Sequence, residues 1–269
     1  MTAADTSESL VLSSVEDHVG TVVLNRPGLL NAFNLVLARQ FLAALEEFSR
    51  DEDVRAVVIR GAGKVFSAGG DIGEMLGHVR KGEDRAAFFR APLSAFGEIV
   101  VALRQTAKPV LAAVHGAVAG VAFNVMLACD LKIAADTTRF TQAFIKIGLS
   151  PDGGGTWFLP RLVGYARASE LALLPTGLDA ATAREWGLIN WVVPEADFET
   201  SVRQTALRLA RGPAAAMARA KALLNSAYEH DMASHIEAER LAQVDNAASP
   251  DFEEGLTAFV ENREPRFGR

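Results

Sequence analysis

Short apolar runs rich in β-formers punctuate the first two-thirds of the chain, at 10–15, 19–24, 54–59, 110–114, 131–135 and 189–193. Each is long enough for one strand and is bounded by turn-forming residues. Glu16, Asp17 and His18 separate the first two runs, which predicts a hairpin. Between the strands the spacing changes to that of helices. Leu37, Phe41, Leu45 and Phe48 recur at helical intervals over 35–49, with Asn34 as N-cap. The stretch 121–128 lacks proline and glycine and reads as a buried helix, and 140–142 reads as a partner strand for 131–135. Residues 73–106 are helical but divided at Gly82 and Pro92. Further helices fall at 157–163, 167–174 and from Asp179 to Trp186, where Gly187 stops the last one.

Strands alternating with helices predict an α/β fold with largely parallel pairing and right-handed crossovers. From Phe198 onward the strand signal vanishes. Helical runs at 198–211, 214–228, 232–247 and 251–263 are punctuated by Gly212-Pro213, His230-Asp231 and Ser249-Pro250. The chain therefore divides into an α/β core over 1–195 and a helical region over 196–269, with 1–9 as a frayed tail.

Composition narrows the function classes. With 49% hydrophobic and 22% charged residues the balance is that of a soluble globular protein. A formal net charge of −6 removes the basic face that a nucleic-acid binder needs. The single cysteine, Cys129, excludes a disulfide framework and a cysteine-rich metal site and fits a reducing cytoplasm. The N-terminus is polar and acidic, without a signal-peptide pattern, and glycine, proline or charge interrupts every apolar run, so no membrane span is expected.

Candidate chemistry concentrates in 108–156. A strand ends at His115-Gly116, and Gly120 opens the buried helix. The first N–H groups of a helix lack intrahelical partners and sit at the positive end of its dipole, so they can hold an oxygen that becomes an anion during a reaction. Pro151-Asp152-Gly153-Gly154-Gly155-Thr156 then puts one carboxylate on a tight turn. A second glycine-bearing loop, 65–72, offers more free N–H groups near Ala68. Two apparent nucleotide motifs fail. Phe66 occupies the third-glycine position after Gly61-Ala62-Gly63, and Val65 replaces the hydroxyl residue that a P-loop needs after Gly63-Lys64.

Several stretches match one family in order and spacing: Leu24-Asn25-Arg26-Pro27 with Asn31-Ala32-Phe33, Phe66-Ser67-Ala68-Gly69-Gly70-Asp71-Ile72, Lys108-Pro109-Val110 leading to Gly116 and Gly120, Ala128-Cys129-Asp130, 151–156 with Arg161-Leu162-Val163-Gly164, and 259–267. Together they resemble the enoyl-CoA hydratase/isomerase (crotonase) superfamily. The resemblance implies a spiral of ββα turns with a helical C-terminal trimerisation segment, assembled as a homotrimer or a dimer of trimers. It implies an acyl-CoA thioester substrate, with CoA entering as part of that substrate and no separate cofactor or metal. The thioester oxygen is expected between the backbone N–H groups of Ala68 and Val121. Arg26, Ala68, Asp71, Ile72, Phe259 and Arg266 are implied as CoA contacts, the last two reaching a neighbouring subunit's ligand.

The departures from the family pattern carry more information. Hydratases of the family have two glutamates, at positions held here by Asn124 and Phe144, which leaves these two as expected substrate-pocket residues. Neither can activate water. The remaining acid, Asp152, and its surroundings look like the family's ring-1,2-epoxyphenylacetyl-CoA isomerase, in which one aspartate suffices for a 1,3-proton shift. Three readings are open: an isomerase based on Asp152, a hydratase or hydrolase on the same scaffold, and a CoA-ligand-binding protein without catalysis.

Overall fold

The computed structural model describes residues 9–268; residues 1–8, nearly all of the expected tail, lie outside the described residues. The predicted hairpin forms from β1 (Val11–Glu16) and β2 (Val19–Leu24), with Asp17 and His18 at positive φ in its turn. α1 (Leu35–Arg50) comes next, and Asn34 caps it by accepting from the Leu37 N–H at 3.0 Å. β3 (Ala56–Gly61), β4 (Val110–Val114), β6 (Leu131–Ala135) and β9 (Trp191–Val193) add in parallel to β2, in the order β1-β2-β3-β4-β6-β9.

A second sheet lies apart, made of β5 (Ala117–Ala119), β7 (Arg139–Thr141) and β8 (Gly177–Asp179). The pairs β4–β5 and β6–β7 each send one strand to each sheet, and each ends in a helix: α4 (Gly120–Ala128) or α5 (Gly155–Leu173). These repeated ββα turns form the expected α/β spiral. The 140–142 strand therefore does not partner 131–135. It runs parallel to β5 and antiparallel to β8, two strands of three residues each that are too short for a periodic signal.

The central strands β3 and β4 of the large sheet are buried on both faces, and strand alternation sorts their side chains. Val57, Ile59, Val110, Ala112 and Val114 face the cluster that contains α1 and α4, whereas Ala56, Val58, Leu111 and Ala113 face α7 (Phe198–Ala210). Every residue of α4 is buried. It is the central helix, and Asn124 is its one polar side chain.

Gly82 ends α2 (Ile72–Lys81) in a left-handed conformation, as expected. Pro92 does not divide the segment beyond it: α3 runs unbroken from Arg85 to Gln105. A helix-interior proline costs about 3 kcal/mol. Burying Phe96, Ile99, Val100 and Leu103 returns more, at roughly 1.5–3 kcal/mol for each large apolar side chain. By length and composition α3 could cross a membrane, with a mean hydropathy of 1.5, contrary to the expectation that no such run exists. Its inner face is instead part of the core.

α6 (Ala180–Glu185) is capped by Asp179. α8 (Ala214–Ser226), α9 (Met232–Ala247) and α10 (Pro250–Val260) complete the helical C-terminal segment. These helices leave Leu241, Val244, Phe252, Leu256, Phe259 and Val260 exposed, an apolar surface consistent with a trimerisation region.

Candidate active site

The 66–71 loop is stitched on both sides. Ser67 bridges to Val118 in parallel, taking the Ala117 carbonyl at 3.1 Å and giving its own to the Ala119 N–H at 3.1 Å. Phe33 bridges to Gly70, donating to the Gly69 carbonyl at 2.7 Å and accepting from the Asp71 N–H at 2.9 Å. In a parallel bridge the opposed residue directs its own N–H away from its partner. Gly70 therefore points its N–H away from Phe33. Gly69, at φ +96°, lies so close to β5 that an added Cβ would sit 2.8 Å from the Ala119 carbonyl oxygen. That contact brings the loop against the first turn of α4, where the Val121 N–H has no intrahelical acceptor.

The Ala68 N–H, expected to bind the thioester oxygen, is instead spent on the Leu30 carbonyl at 2.9 Å. Gly70, two residues on, lines the same cavity as Val121 and has no backbone acceptor at its bridge to Phe33. N–H direction alternates along an extended segment and its phase is set by the Phe33 bridge, a long-range pairing that leaves no local trace in the sequence.

Asp152 sits on the turn before α5, with Gly153 at φ +51° and Gly154 at +79°. It lines a cavity of about 210 Å³ together with Ala68, Gly70, Val121 and Phe144. Phe33, Phe88, Phe89 and Phe96 give the cavity an aromatic wall. Asp152 Oδ1 is buried without a hydrogen-bond partner. Burial pushes its carboxyl up to about 6 from the ordinary 3.8. Such a group can exchange a proton near neutral pH. An apolar cavity lined by a helix N-terminus, a glycine-bearing loop and an acid with an unpartnered oxygen can stabilise an enolate and move its protons.

Asn124 is fully buried and is not among the cavity-lining residues. Its Nδ2 donates to the Asp152 carbonyl at 2.7 Å, and its Oδ1 accepts from Gln142 Nε2 at 2.6 Å. The expected pocket residue thus stands behind the turn, while Phe144 does line the cavity. Gln142 drew no attention in the sequence, where a lone polar residue ending a strand carries no chemical signal.

Arg26 and Asp71 pair at 2.5 Å. Asp71 also caps α2 through the Glu74 N–H at 2.9 Å, and Arg26 reaches the Ala32 carbonyl at 3.2 Å. Their charges are paired with each other and brace the loop. Ala68 and Ile72 line the cavity, and Ile72 is also exposed. Phe259 is 85% exposed, and neither it nor Arg266 lines the cavity of its own chain.

Residues 14–269 match the family described as enoyl-CoA hydratase/isomerase. The chain belongs to this family. Among curated relatives of the hydratase/isomerase family, one named "Probable enoyl-CoA hydratase" from Rhodobacter capsulatus is 38% identical, covering 94% of this chain and 95% of its own. The 1,2-epoxyphenylacetyl-CoA isomerase of Escherichia coli is 37% identical, covering 96% and 97%. The crystal structure of an enoyl-CoA hydratase from Polaromonas sp. JS666 superposes with a TM-score of 0.90 at 31% identity, covering 96% of this chain and 99% of that one.

Proposed function

We propose that the protein acts on acyl-CoA thioesters, holding the thioester oxygen between the N–H groups of Gly70 and Val121 and moving a proton on Asp152. The observation that carries the reading is Asp152 itself: one largely buried carboxyl with an unpartnered oxygen and raised proton affinity, in a cavity whose other expected acid positions hold Phe144 and the withdrawn Asn124. One acid suffices to isomerise a 3-enoyl thioester. The Asp152 carboxylate removes a proton from C2, and the C2 electrons delocalise into a dienolate whose oxygen the two N–H groups stabilise. The same carboxyl returns the proton to C4, leaving the 2-enoyl thioester. Ring-epoxide isomerisation of an aryl thioester, the reaction in the name of the E. coli relative, uses the same parts.

Hydration is the second reading, favoured by the names of the R. capsulatus and Polaromonas relatives. It would require Asp152 alone to activate water and supply the α-proton. The exposed apolar face of α9 and α10 supports assembly with further copies, a trimer by the family pattern, in which Phe259 and Arg266 would meet a neighbour's ligand.

The deciding experiment incubates the protein with crotonyl-CoA, 3-hexenoyl-CoA and epoxyphenylacetyl-CoA and follows mass and absorbance. Isomerisation conserves mass, whereas hydration adds one water. An isomer formed from 3-hexenoyl-CoA, together with no mass gain on crotonyl-CoA, supports the first reading. Fast hydration of crotonyl-CoA replaces it with the second, and no turnover of any thioester rejects both in favour of a binding protein.

A further inference from the structure

Asn124 and Gln142 form a relay with only one workable polarity. The Asp152 carbonyl can only accept, so Asn124 must present its NH₂ there. That leaves Asn124 Oδ1 facing Gln142, which must in turn present its own NH₂. The observed contacts, 2.7 Å and 2.6 Å, have this direction. Both amides are buried, at 0% and 1% exposure, and Gln142 Oε1 is left without a partner. Leaving a buried oxygen unpaired costs about 1–3 kcal/mol. A residue present only to fill space would not need that oxygen.

The turn is shaped around the relay. A Cβ at Gly155 would sit 2.6 Å from the Asn124 amide, and one at Gly153 would sit 3.5 Å from Asn124 Cβ. Asp152 therefore stands on a turn whose carbonyl is pinned to α4 while its side chain lines the cavity with Oδ1 buried and unpartnered.

We propose that Asn124, oriented by Gln142, is a positioning residue that fixes the Asp152 turn so that the carboxyl group is held at the cavity wall beside the enolate site. This rests on the proton-shuttle reading of Asp152. An ionised acid at 124 could not donate and would repel the Asp152 carbonyl, so the relay and a catalytic carboxylate at 124 exclude each other. Of the groups that bond Asn124, from the end of β7 and from the 151–154 turn, only Asp152 titrates.

The test uses 3-hexenoyl-CoA. An Asn124→Asp variant keeps the shape and can donate only while residue 124 is protonated. Its kcat relative to wild type is expected to be at least about 20-fold low at pH 8 and to recover at least about fivefold by pH 6, with KM within about twofold. Asn124→Ala is expected to be low by a pH-independent factor. Gln142→Met preserves volume and exchanges one buried unpaired oxygen, Gln142 Oε1, for another, Asn124 Oδ1, so its thermal midpoint is expected to stay within a few degrees of wild type. Its kcat is expected to fall about five- to tenfold at unchanged KM. A flat Asn124→Asp ratio, or Gln142→Met turnover within twofold of wild type, overturns the relay while Asp152→Asn remains inactive. Full activity in Asp152→Asn would instead overturn the proton-shuttle reading beneath it.

Discussion

Two aspartates line the same cavity, each on a turn that leads into a helix, and their surroundings drive them in opposite directions. Burial pushes the Asp71 carboxyl up, but the Glu74 N–H and the Arg26 guanidinium more than reverse this and hold it below its ordinary value. For Asp152 burial outweighs the one opposing contribution, its own backbone N–H, and its carboxyl rises to about 6. The residue type is identical. The difference is that the Asp71 turn spends its side chain on the helix N-terminus and a cation, whereas the Asp152 turn is held by its backbone carbonyl, which leaves the side chain unspent. A carboxylate already bonded twice is a brace, and one kept idle in an apolar cavity is available for proton transfer.

The largest expected effect concerns activity. Asp152→Asn is expected to lower kcat on 3-hexenoyl-CoA by about 10²–10⁴, the range of general acid–base contributions, while Asp71→Asn costs about tenfold or less. Steady-state rates on the two variants make the comparison, and equal losses would dissolve it.

The next largest concerns stability. The rise of Asp152 from 3.8 to about 6 corresponds to at most about 3 kcal/mol, since one pH unit is about 1.4 kcal/mol and the residue keeps some solvent contact. For a raised carboxyl, stability is fully present below the unfolded value near 3.8 and is lost as pH rises through about 6. Asp152→Asn is thus expected to be more stable than wild type by up to about 3 kcal/mol at pH 7.5, with the gap closing by pH 4. Urea unfolding at several pH values reads this directly. On the brace side, Arg26→Ala leaves a nearly buried carboxylate short of its cation and is expected to cost about 1.5–3 kcal/mol at pH 7.

Much of this contrast is legible in the sequence. The strand runs and the Asn34 cap announce themselves through spacing, and α4 through an apolar run that only Asn124 interrupts. Asp152 stands out as an isolated acid among glycines. Hidden are the features set by register and long-range pairing. The Ala68 N–H is spent on Leu30, and the bridge to Phe33 leaves the Gly70 N–H directed away from that strand, neither of which local sequence shows. Asn124 faces the turn, and Arg26 is already paired, because a contact between residues 45 positions apart leaves no local trace. Pro92 reads as a break only until the buried face of α3 is weighed against it.

The smallest effect sharpens the comparison most. Asp71→Asn keeps an oxygen for the Glu74 N–H but removes the charge that Arg26 meets. Arg26 retains the Ala32 carbonyl, so the expected cost near neutral pH is about 1 kcal/mol. The informative part is its pH dependence. A lowered carboxyl contributes stability that is present above the unfolded value near 3.8 and is lost as pH falls through the lower folded value. Wild type should therefore gain stability from Asp152 as pH drops from about 6 toward 3.8, then lose the Asp71 contribution on further acidification. Asp71→Asn should keep the first limb and flatten its share of the second, and Asp152→Asn should do the reverse. If both substitutions altered the same limb, the two turns would not differ as their hydrogen bonds indicate.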